Sequence, residues 1–61
     1  MSTIEEVKKY CKEAIKKYPL LETEIYNTYD LFLMEIEEIG ASVIHEAELL
    51  YSHINELIKN Y

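Results

Sequence analysis

The sequence predicts an all-α fold, a small three-helix, up-down-up bundle that dimerises. Apolar residues recur at steps of three or four along the chain, the spacing of one face of an α-helix rather than the alternation of a strand. A single proline, Pro19, and a single glycine, Gly40, divide that pattern into pieces of similar length. The chain has 61 residues. A chain of that size buries only ~60% of the surface its unfolded form exposes, so self-association is the expected way to cover apolar area. The lone thiol of Cys11 has no partner in the chain, and no cluster of cysteines and histidines has zinc-finger spacing. Neither a disulfide within the chain nor a structural zinc is therefore expected.

The first helix is expected over about 3–17. Thr3-Ile4-Glu5-Glu6 reads as a capping box, in which the Thr3 hydroxyl accepts from a free amide of the first turn and Glu6 reaches back. Ile4, Val7, Cys11, Ala14, Ile15 and Tyr18 form its apolar face. Lys16 and Lys17 suit the negative end of the helix dipole, and Pro19 disfavours helical geometry at Tyr18.

The second helix is expected over about 19–39, with Pro19 in the first turn, where no amide hydrogen is needed. Its apolar face is Ile25, Tyr29, Phe32, Ile36 and Ile39. Gly40 suits a left-handed C-terminal position, and Ser42 can cap a third helix over about 42–60. That helix presents Val43, Ala47, Leu50, Ile54, Leu57 and Tyr61, and Leu33, Ile44, Tyr51 and Ile58 widen the stripe. Residues 1–61 then make one helical domain.

The alternative is a short helix 1 packed on one long helix, 19–61, in a dimeric coiled-coil-like bundle. The apolar phase does run unbroken across Gly40, and such a helix would be ~60 Å long. The phase is equally unbroken across Pro19, where a break is expected. Phase therefore does not favour the long helix, and the fold-back at Gly40 is preferred.

The net charge of −6 is unevenly spread. Helix 1 carries five lysines against three glutamates, a balance of +2, while residues 19–61 carry nine acids against Lys59, a balance of −8. The lysine face of helix 1 is expected near acidic faces of helices 2 and 3, in its own chain or a neighbour's. With no arginine and a negative total, nucleic-acid binding is not expected, although Tyr10, Tyr26 and Tyr51 are placed at the rim of the stripe with hydroxyls in water. No run of about 18 apolar residues occurs, and the charged opening lacks the apolar segment of a signal peptide, so no membrane span is expected and the setting is read as cytoplasmic.

Two groups of residues stand out as candidate sites. Leu20, Leu31, Met34 and Leu49 lie off the core stripe and suggest a second contact surface. Glu35, Glu46 and His53 fall on a polar strip: if the chain folds back at Gly40, Glu35 comes opposite Glu46, and Thr28 opposite His53. From two chains these side chains could surround zinc, iron or manganese, but the two histidines lack the local spacings of helical metal sites, and no metal or cofactor is assigned. Cys11 is read as a buried thiol rather than a nucleophile, because no base accompanies it.

The expected function is that of a non-enzymatic helical protein–protein interaction module. It would be an adaptor, regulator or assembly component acting as a homo-oligomer, with a further protein partner that the sequence does not identify. One alternative is an acidic inhibitor or nucleic-acid mimic presenting Glu22, Glu24, Asp30, Glu35, Glu37, Glu38, Glu46 and Glu48 to a basic partner. The other is a Glu/His metal-binding helical bundle.

Overall fold

A computed structural model describes residues 3–61; Met1 and Ser2, which the single-domain expectation includes, lie outside the described residues. Three α-helices run up, down and up: α1 (Ile4–Lys17), α2 (Glu22–Met34) and α3 (Val43–Lys59). The all-α three-helix bundle expected from periodicity is the fold observed, and among the described residues there is no strand.

The ends of α1 follow from the residues that punctuate it. The Thr3 hydroxyl accepts from the Glu6 amide at 3.2 Å and donates to the Glu6 carboxylate at 3.3 Å. The capping box thus closes side chain to side chain. At the other end the Tyr18 amide donates to the Ala14 carbonyl at 2.8 Å. Pro19 then opens a 3₁₀ turn, Pro19–Leu21, that leads directly into α2.

Helix 2 is therefore not the uniform α-helix expected over 19–39. It enters through that 3₁₀ turn and leaves through a π-helical turn, Glu35–Ile39. The amides of Gly40 and Ala41 both donate to the Glu35 carbonyl, the second at 3.2 Å. Gly40 has a φ of +74°, a left-handed conformation that stops the helix. This excludes the long helix 19–61, because no α-helix propagates through such a residue. Ser42 then caps α3 by accepting from the His45 amide at 3.4 Å.

Each helical segment contributes three buried residues to one core. Val7, Cys11 and Ala14 come from the first, Leu21, Ile25 and Phe32 from the second, and Ala47, Leu50 and Ile54 from the third. Aromatic pairs fasten the rim: Tyr10 and Tyr51 meet edge to face with ring centroids 4.6 Å apart, and Tyr18 and Tyr61 do so at 5.5 Å.

The expected stripe needs correction at several positions. Leu21, outside the expected stripe, is buried, because the tighter 3₁₀ turn brings it round to the core side. Ile39, assigned to the stripe, is 74% exposed, because the wider π turn lags behind α-helical rotation and carries it off the core face. Tyr10 stands at the rim as expected, and its hydroxyl donates to Asn55 Oδ1 at 3.1 Å in an exposed hydrogen bond. Ile4, Ile44 and Tyr61, also counted in the stripe, stay exposed at its edges.

Candidate functional site

Helices α2 and α3 form an antiparallel hairpin, and α1 packs against it through Val7, Cys11 and Ala14. Along the hairpin runs an open groove of about 260 Å³, lined by residues of α2, the π turn and α3 and by none of α1. Its floor is core, formed by Phe32 and Leu50. Its walls consist of three layers.

At one end Thr28 stands on α2 and His53 on α3. In the middle are Leu31 and Leu49, which remain 50% and 53% exposed. At the Gly40 end are Glu35 and Glu46. The residues on each helix follow the intervals i, i+3/i+4, i+7, so each set forms a stripe beside the core face. The outer layers stand seven residues apart, roughly 10 Å along either helix.

The acidic layer has a definite electrostatic character. The Glu35 and Glu46 carboxyl groups lie within hydrogen-bonding reach, and that contact raises the Glu46 carboxyl above its usual range. Partial burial and the negative charge of Glu35 act in the same direction, while His45 opposes them. At the other end the Thr28 hydroxyl donates to the Glu24 carbonyl of its own helix at 2.9 Å, which leaves the His53 imidazole as the group there that can reach outward.

Glu35 and Glu46 come together as the fold-back requires, and Thr28 and His53 line the same groove. The three metal candidates are not gathered within one chain, since His53 lies two turns along α3 from Glu46. Among the described residues no three His, Cys, Asp or Glu side chains assemble into a group able to hold a metal ion. Of the four off-stripe apolar residues, Leu31 and Leu49 face each other across the groove. Met34 is exposed outside its lining, and Leu20, 83% exposed, sits on the 3₁₀ turn away from it. In sequence the polar strip and the apolar surface were separate features; in the structure they are the ends and the middle of one groove.

Elsewhere Cys11 is buried in the core, and burial pushes its thiol up to about 11. At neutral pH burial holds the thiol in its protonated form. The lysines of α1 are all exposed. No described helix is long and apolar enough to cross a membrane.

Fold and groove together define a small up-down-up helical bundle with an amphipathic cleft open on its α2–α3 hairpin. Comparison with protein-family models, curated proteins and solved structures gave no match for this chain.

Proposed function

We propose that this protein is a non-enzymatic, homo-oligomeric interaction module that works through the α2–α3 groove, as an adaptor, regulator or assembly component in the cytoplasm. The observation that carries this reading is the half-exposure of Leu31 and Leu49 over a floor of core residues. Fully burying a leucine contributes ~1.5–3 kcal/mol, and a small domain has a total margin of only ~5–15 kcal/mol. Leu31 and Leu49 are each about half exposed, so covering the pair contributes the value of one such leucine, about 1.5–3 kcal/mol per chain. The groove's polar ends give such a contact direction as well as affinity.

Sedimentation equilibrium of the purified chain between low and high micromolar concentration tests the reading. A mass that rises above the monomer's, with a melting temperature that rises in parallel, is expected. A folded monomer throughout that range would reject it.

A further inference from the structure

We propose that the groove binds the same groove of a second copy, turned end for end, so that His53 of each protomer meets Glu46 of its partner on both sides of a shared Leu31–Leu49 centre. This rests on the homo-oligomeric reading above and adds to it the occupant, the symmetry and the contacts that select them.

The order of the layers selects this arrangement. Along the groove they run imidazole, leucine, carboxyl pair, and the leucine layer is midway between the two polar ends. A two-fold axis lying in the groove face can be oriented in two ways. If it runs along the helices, each layer meets its own kind. Glu46 then comes over the partner's Glu35 and Glu35 over the partner's Glu46, which gathers four carboxyl groups in one place. Two of these already share one end of the groove within a single chain, where the Glu35 hydrogen bond holds Glu46 toward its protonated form, so two further acids bring more negative charge than one shared proton can relieve.

If the axis instead runs across the helices, the layers are reversed. α2 then lies antiparallel on the partner's α2, and α3 on the partner's α3. The leucine layer still meets itself, so the apolar middle is covered in both arrangements. The ends now differ in kind: His53 comes over the partner's Glu46, with the partner's Glu35 beside it, and Thr28 comes over the partner's Glu35. An imidazole N–H donates to a carboxylate whether or not the ring is charged, so an acidic layer that repels its own image becomes an acceptor for the opposite end. The contact is isologous and closes after two copies. The product is an antiparallel four-helix centre, each side backed by one α1. Charge complementarity thus singles out a second copy, in the crosswise register, as the occupant.

The test is a charge exchange on surface positions of α3, read as the dimer dissociation constant by sedimentation, with circular dichroism confirming that each variant stays helical. His53→Glu should weaken the dimer at least about tenfold, because both ends then oppose like charges. Glu46→Lys should weaken it as well, by removing the acceptor of His53. The double variant, His53→Glu with Glu46→Lys, should restore association, because each end regains a pair of opposite charges. His53→Gln, which keeps an N–H donor, should stay near wild type.

A wild-type dimer that is indifferent to His53→Glu, or that tightens on Glu46→Lys, would overturn the crosswise register. So would a double variant no better than His53→Glu alone. Any of these outcomes leaves the homo-oligomeric reading intact, whereas a monomeric wild type removes both.

Discussion

Glu35, the first residue of the π turn, and Glu46, in the first turn of α3, bring their carboxyl groups together across the closed end of the hairpin. Two acids on opposite sides of the Gly40 turn oppose its closure when both are ionised and assist it when one holds a proton.

The stability of the isolated chain should therefore depend on pH through Glu46. Its carboxyl is raised in the folded state, chiefly by the hydrogen bond with Glu35, so the folded chain binds this proton more tightly than the unfolded chain does. The resulting stabilisation is fully present below the unfolded glutamate value, about 4.3, and is lost as pH rises through the folded value. Glu46→Gln should accordingly melt higher than wild type at neutral pH, and the difference should shrink on acidification. Thermal melts of dilute samples across that range measure it; a difference that does not vary with pH would be the contrary result.

Gly40→Ala should destabilise the fold by about 1–2 kcal/mol, the usual cost of a left-handed conformation for a residue with a Cβ. No atom lies within 4 Å of the position an added Cβ would take, so the cost is backbone strain without a clash. Gly40→Asn should therefore cost less, because asparagine tolerates this region. Urea unfolding of the two variants, compared at equal m-values, gives the order.

The Tyr10–Asn55 hydrogen bond joins residues of α1 and α3 that are 45 positions apart in sequence. Tyr10→Phe keeps the ring against Tyr51 and removes the hydroxyl, so it should cost about 0.5–1.5 kcal/mol, near the lower end for an exposed pair. Asn55→Ala should add little once the tyrosine hydroxyl is gone. A double-mutant cycle followed by chemical denaturation isolates the coupling, and additive losses would show that the bond contributes nothing.

Local chemistry made much of this architecture legible in advance. Thr3 and Ser42 are cap residues, Pro19 and Gly40 are breakers, and helical spacing of the buried residues Val7, Cys11, Ala14, Ile25, Phe32, Ala47, Leu50 and Ile54 already marked one face. These signals act within a few residues, so a chain read in order exposes them. The candidate site was legible in pieces: Glu35, Glu46 and His53 as one strip, Leu31 and Leu49 as another surface. Their i, i+3/i+4, i+7 intervals were the available sign that both belong to one stripe on each helix.

Tertiary structure alone decided the remainder. The chain tightens to 3₁₀ at Pro19–Leu21 and widens to π at Glu35–Ile39, turns that the regular spacing of the apolar residues did not reveal. This backbone path buries Leu21 and turns Ile39 outward. It also leaves the Glu35 carbonyl to accept both amides of the Gly40 turn and places the Glu35 side chain against Glu46. A sequence specifies which faces of its helices are apolar. How far apart two such faces lie, and hence whether Leu31 and Leu49 close over Phe32 and Leu50 or stand apart as walls of a groove, is set by the packing of all three helices at once.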